Sequence, residues 1–128
     1  MKPEVITGPN VPKSKLPFSP AIRAGDFTFV SGQASVDDEG NIVSDTFENE
    51  MRRSFSNLVR ILAAGGLTLK HVVQVKSYVT SATDLPEYNR LYREFFQEPY
   101  PARTTIVNCL GKLKYEIDVV AYKEPLGS

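Results

Sequence analysis

Two side chains stand out for the chemistry they could perform together: Arg103, in Pro101-Ala102-Arg103-Thr104-Thr105, and Glu116, in Tyr115-Glu116-Ile117-Asp118-Val119. A guanidinium is permanently charged and offers parallel donors that match a carboxylate. A glutamate can take a proton from water and return one to a departing group. The pair could therefore hold a small carboxylate-bearing molecule and add water to it. The same residue types could equally make a structural ion pair at a subunit interface, and residue type alone does not separate the two. Competing centres are few. Cys109 and His71 are the one cysteine and the one histidine, too few for an internal disulfide or a zinc cluster of the usual kind, so no metal is expected. Cys109, near an expected turn, reads as a small apolar filler, and His71, just ahead of a strand, as a structural or exposed group.

The elements that must position Arg103 and Glu116 follow from local preference. Pro101 lacks an N–H and suits the start of a strand, and Thr104 to Val107 are β-branched. Tyr115, Ile117, Val119 and Ala121 alternate with Glu116, Asp118, Val120 and Tyr122, the period of a second strand. A turn centred on Leu110-Gly111, with Gly111 at positive φ, would make these strands an antiparallel hairpin with Thr105 opposite Glu116 and Arg103 a diagonal neighbour. Upstream, Glu4 to Thr7 reads as a short strand, followed by a surface loop broken by Pro9, Pro12, Pro17 and Pro20. Ala21 to Ala24 and Phe27 to Ser31 flank a Gly25-Asp26 turn, Phe27 and Phe29 share a face, and the second strand is expected to stop at Ser31-Gly32-Gln33. A further turn is expected over Asp37 to Asn41.

Asp45 with Glu48 resembles an N-cap and its partner, and Phe47, Met51, Phe55, Leu58, Val59 and Leu62 recur at helical spacing up to Gly65-Gly66. The opposite face of that helix, with Glu48, Arg52, Arg53, Asn57 and Arg60, reads as solvated. A strand over Val72 to Val79 follows, in which Val73, Val75 and Val79 alternate with Val72, Gln74 and Tyr78. A second helix is capped by Asp84 and buries Leu85, Tyr88, Leu91, Tyr92, Phe95 and Phe96, ending before Pro99. Asn89 lies beside that stripe, where it could reach a cleft or simply face water. Strands, helix, strand, helix, strands imply an α+β fold with two helices on one face of a mixed sheet. The bare face carries apolar residues, which points to a partner subunit.

At 128 residues the chain suits a single domain, 1–128. Acidic and basic residues balance at 15 each, so nothing favours phosphate backbones or anionic lipid, and no nucleic-acid partner is expected. No run has the apolar length of a membrane span and the N-terminus lacks a secretory core, so the chain reads as cytoplasmic with no membrane partner.

The residues in order, Pro17-Phe18-Ser19-Pro20-Ala21, Phe29-Val30-Ser31-Gly32-Gln33, Leu62-Ala63-Ala64-Gly65-Gly66, Val72 to Thr80, Tyr88-Asn89 with Phe95-Phe96, and Pro101-Ala102-Arg103 with Glu116-Ile117, resemble the reactive intermediate deaminase family (RidA, YjgF-type). The resemblance implies a chorismate-mutase-like fold, a homotrimer with ligand clefts between subunits, and hydrolysis of enamines and imines such as 2-aminoacrylate to 2-oxo acids and ammonia. It implies no metal or organic cofactor, and a 2-imino or 2-oxo acid as the small-molecule partner. It also assigns Arg103 to the substrate carboxylate and Glu116 to the attacking water, with Phe18, Ser31, Gly32, Asn89 and Thr105 lining the cleft. Phe18 stands where tyrosine is common, Pro20 where glutamine is, and Thr105 where cysteine is frequent, so the cleft is less polar at Phe18 and less thiol-like at Thr105. The stretch between Arg103 and Glu116 is about two residues shorter than usual, which preserves facing side chains if each strand gives up one. Two other functions remain compatible with these residues: a trimeric module that binds small carboxylates without turning them over, and a deaminase of larger aminated catabolic acids.

Overall fold

The computed structural model describes residues 2–12 and 14–124; of the span expected as one domain, Met1, Lys13 and residues 125–128 lie outside the described residues. Six strands form one sheet, β1 (Glu4–Ile6), β2 (Ala21–Ala24), β3 (Phe27–Ala34), β4 (Val72–Val79), β5 (Ala102–Val107) and β6 (Tyr115–Tyr122), in the order β1-β2-β3-β6-β4-β5. Two helices, α1 (Phe47–Ala64) and α2 (Leu85–Phe95), cover one face. The expected α+β architecture, a mixed sheet with both helices on one side, is present.

Helix α1 forms because Met51, Phe55, Leu58 and Leu62 fall on one stripe and are buried against the sheet. Its N-cap is Thr46, not Asp45: Thr46 Oγ1 accepts from the Asn49 N–H at 3.2 Å, while Asp45 Oδ1 accepts from Thr46 N–H and the Asn49 side chain. The far end closes at Gly65-Gly66, where Gly66 takes φ +76°, its N–H reaches Ala63 O and the Leu67 N–H reaches Leu62 O. Two expectations about this helix fail on tertiary grounds. Val59 remains 42% exposed. Asn57 is buried and donates through Nδ2 to Ala34 O and Val36 O, satisfying carbonyls where β3 leaves the sheet. Ahead of α2, Ser81 caps a single 3₁₀ turn, Ala82–Asp84, and Asp84 makes no side-chain cap of its own. His71 is structural: its Nδ1 accepts from the Thr68 N–H at 2.9 Å in another short 3₁₀ turn.

The largest departure concerns the last two strands. β5 and β6 do not form a hairpin. β5 pairs in parallel with β4, Arg103 beside Val75, and β6 inserts between β3 and β4, with Tyr78 opposite Glu116. The unit β4-α2-β5 is a parallel crossover with its helix on the sheet, and it puts β5 at the edge. Positive φ in the connection falls on Asn108 rather than Gly111. What carries the chain across is Glu50 on α1, fully buried, whose carboxylate accepts from the Lys114 N–H at 2.9 Å, the Asp45 N–H at 3.0 Å and Lys114 Nζ at 3.3 Å. A buried carboxylate is stable only when so partnered, and here it ties the start of β6 to the start of α1.

Elsewhere the register follows the alternation with two interruptions. The Gly25-Asp26 turn joins β2 to β3, with Gly25 at φ +64°, and the Asp37–Asn41 turn is held by Asp37 Oδ1 accepting from Glu39 and Asn41. A bulge between Val72 and Gln74 buries Val72 and leaves Val73 exposed. A second lies between Val30 and Gln33, so β3 does not stop at Ser31-Gly32-Gln33 but continues through it to Ala34. On the face away from the helices, Phe27, Phe29 and Ile106 are each more than two-fifths exposed, and Tyr122 packs its ring 5.1 Å from that of Phe27.

Candidate active site

Glu116 projects from β6 on the helix-free face, between Tyr115 and Ile117, which are buried against the helices. The Ser31-Gly32 bulge of β3 lies against it. A Cβ built on Gly32 would sit 2.5 Å from Glu116 Oε2 and 3.0 Å from Cδ, so only glycine leaves room for the carboxylate there. Ser31 is turned away, its Oγ donating to Ser19 O at 2.6 Å and its N–H to Pro20 O at 3.0 Å, and thereby pins the proline-rich loop over the bulge. The result is a cleft of about 830 Å³ whose lining includes Phe18, Ser31, Gly32, Glu116 and Asp118. Asp118, two residues on along the same face, accepts from Tyr78 Oη at 2.7 Å, a bond that pushes the phenol up to about 12. Burial first, and the nearby Asp118 charge second, hold the Glu116 carboxyl above its ordinary value, and no hydrogen bond to another described residue opposes them. A carboxyl in that condition is suited to exchanging protons.

Arg103 faces the other way. From the edge strand its guanidinium lies over the rings of Tyr92, 4.7 Å from the centroid, and Tyr88, 4.9 Å, an aromatic bed that holds the cation without neutralising it. Tyr88 is itself fixed, its hydroxyl 2.8 Å from Thr105 Oγ1. Thr105 therefore supports the bed from the strand. Arg103 lines a cleft of about 250 Å³ together with Asn89, Tyr92, Arg93, Tyr100 and Pro101.

The structure thus gathers the expected residues into two groups. Phe18, Ser31 and Gly32 lie with Glu116; Asn89 and Thr105 lie with Arg103. The expectation that Arg103 and Glu116 are diagonal neighbours on paired strands is incorrect. With β4 between them and a three-residue offset in register, strand spacing and rise put their Cα atoms about 14 Å apart, on opposite faces of the sheet. No salt bridge joins them among the described residues. Cys109, expected as a filler, is an exposed thiol. No group of acidic, histidine or cysteine side chains suited to a metal occurs among the described residues.

A family model described as Endoribonuclease L-PSP matches residues 8–123. The chain belongs to this family, the Rid or YjgF group. It is 39% identical over 124 residues to a RutC family protein of Pyrococcus horikoshii, covering 94% of this chain and 98% of that one. A 2-iminobutanoate/2-iminopropanoate deaminase of Dermatophagoides farinae is 32% identical over 103 residues, 80% of each chain. A crystal structure of a Thermotoga maritima protein, 36% identical, superposes with a TM-score of 0.88 over 98% of this chain and all of that one. In this Rid-family chain, sequence reasoning missed the part played by Tyr88 and Tyr92, placed only in the buried stripe of α2, and by Asp118. The signal for the first was present: Arg103 follows an edge-strand start, and an edge cation needs a surface to lie on. Among the described residues no helix is long and apolar enough to cross a membrane.

Proposed function

We propose that the protein hydrolyses small 2-enamino and 2-imino acids such as 2-aminoacrylate to 2-oxo acids and ammonia, with Arg103 holding the substrate carboxylate and Glu116 handling water. The observation that carries this is a pair of unneutralised groups of the right kinds, a guanidinium presented on an aromatic bed and a desolvated carboxyl in a cleft. An enamine first tautomerises to the imine, gaining a proton at C3 and losing one from nitrogen. Water then adds to the imine carbon as Glu116 takes its proton and passes it to the nitrogen, giving a carbinolamine. The hydroxyl proton is relayed through the same carboxyl to the amine as the C–N bond breaks, the C=O forms and ammonia leaves a 2-oxo acid. The reaction needs no redox partner, and the proposal calls on no cofactor.

Two opposite-facing groups about 14 Å apart cannot both touch a three-carbon substrate. The reading therefore includes a second copy of the chain, Arg103 with Asn89 from one subunit facing Glu116 with Phe18 and Gly32 from the next. The exposed apolar sheet face of Phe27, Phe29 and Ile106 is the surface such an assembly would cover, and the homotrimer belongs to the same proposal. Adding the protein to freshly generated 2-aminoacrylate should accelerate appearance of pyruvate; no acceleration over the uncatalysed rate would leave a carboxylate-binding module as the better account.

Gly32→Ala probes the Glu116 side of the cleft. The new methyl displaces the tip of a flexible side chain rather than backbone, so unfolding free energy should change by less than about 1 kcal/mol. The carboxyl, however, must move on the scale of an ångström, and misplacement of that size can cost about 10²-fold in rate. A thermal midpoint near that of the parent, with kcat/KM down at least about tenfold, is the expected pair of results.

A further inference from the structure

The Arg103 cleft contains a second guanidinium that the deaminase reading does not use. Arg93, four residues after Asn89 on α2, lines the same cleft, and its Nη1 donates to Asn89 O at 3.2 Å, which turns the side chain along the helix toward the cleft wall. Arginines elsewhere are accounted for: Arg52, Arg53, Arg60 and Arg90 each have a carboxylate within 4 Å, and Arg23 donates to Gly65 O at the C-terminus of α1. Among the described residues Arg93 and Arg103 have no carboxylate partner. Nor does the cleft supply one, since its other lining residues are Asn89, Tyr92, Tyr100 and Pro101. By contrast, the Glu116 cleft and the small one beside Gly65 each contain acidic side chains.

Arg93 and Arg103 are both exposed to the cleft, where two like charges repel each other and a ligand that brings matching charge relieves the repulsion. A 2-imino acid with an apolar side chain brings a single carboxylate, which Arg103 takes. We infer that Arg93 is a specificity residue that takes a second carboxylate, and that the preferred substrates are 2-imino or 2-enamino dicarboxylates. The inference rests on the deaminase reading and narrows its substrate class. Tyr92 and Tyr100 line the same cleft and offer apolar surface to the methylene chain joining the two carboxylates. The chemistry is unchanged: water adds to the C=N carbon, ammonia departs, and a 2-oxo dicarboxylate is released. Such imines arise when a 2-amino dicarboxylate is oxidised at its α-carbon, so a reaction of that class would supply the substrate.

Calorimetric titration of the full chain with two product-like probes, 2-oxobutanoate and 2-oxoglutarate, tests this. The intact protein should bind 2-oxoglutarate about tenfold more tightly, the margin of one charge-assisted contact. Arg93→Ala should erase that margin while moving 2-oxobutanoate by less than about twofold, and Arg93→Lys should keep part of it. Equal affinities in the intact protein, or an Arg93→Ala effect of the same size on both probes, would overturn the role of Arg93 and leave carboxylate anchoring by Arg103 intact. Failure of both probes to bind, or 2-oxobutanoate binding untouched by Arg103→Ala, would instead defeat the underlying deaminase reading and this inference with it.

Discussion

Arg103→Ala is expected to lower kcat/KM toward 2-aminoacrylate by about 10²- to 10³-fold, because a guanidinium–carboxylate pair supplies two charge-assisted hydrogen bonds and a three-carbon substrate has little apolar surface to compensate. Arg103→Lys keeps the charge and loses the fork, so it should recover only part of the deficit. The fold should hardly register the change. Arg103 sits exposed on an edge strand, and the contacts it loses are those to the Tyr88 and Tyr92 rings, worth about 1 kcal/mol or less at an exposed site. Parallel measurement of pyruvate formation and of the urea midpoint separates the two effects. A large drop in midpoint with activity preserved in the folded fraction would mean that the aromatic bed serves structure and not ligand.

Glu116→Gln should lower kcat by about 10²- to 10⁴-fold, the usual worth of a positioned acid–base group. It should also make the protein more stable at neutral pH, and the sign follows from linkage. The folded carboxyl titrates above its ordinary value of 4.5, first through burial and then through Asp118. Between the unfolded and folded values the native state holds more protons than the unfolded chain, so stability falls as pH rises through that window and the penalty is fully present above it. A glutamine side chain cannot ionise and escapes the penalty. Urea midpoints at pH 4 and pH 7 should therefore converge in the variant relative to the parent; a variant less stable than the parent at pH 7 would mean that the carboxylate is held by favourable contacts instead. Combining Arg103→Ala subunits with Glu116→Gln subunits, each nearly inactive alone, should restore a fraction of the activity if one chain supplies the guanidinium and the next the carboxyl. Without restoration, both groups would have to act from one chain, which their separation of about 14 Å argues against.

How far the sequence was legible depended on the range of the interaction. The stripe of α1, its stop at Gly65-Gly66 and the Gly25-Asp26 hairpin are all local, fixed by helical period, a glycine motif and a tight turn. The N-cap slipped by one residue because Asp45 and Thr46 are both good caps, and the choice was made by Asp45 being drawn to Thr46 and Asn49. Asn57 reads from the sequence as part of the solvated face of α1, and helical period assigns Glu50 no role. Both are buried because distant partners satisfy them: the carbonyls of Ala34 and Val36 for Asn57 and the amide of Lys114 for Glu50, 21 to 64 residues away in sequence. No periodicity records such partners.

The site divides in the same way. The chemistry of Arg103 and Glu116 was determined by the sequence itself: residue type sets what a guanidinium and a carboxyl can do, and the order of motifs along the chain assigned the family. Their geometry was not. Adjacent strands with a short turn between them favour a hairpin on local grounds, yet the β4-α2-β5 crossover occupies one side of β4, and Glu50 draws the start of β6 to the other. Pairing between strands is a non-local choice decided by which arrangement buries the helices and satisfies the buried carboxylate. That choice, made only in the tertiary structure, turned two expected neighbours into two groups facing opposite ways.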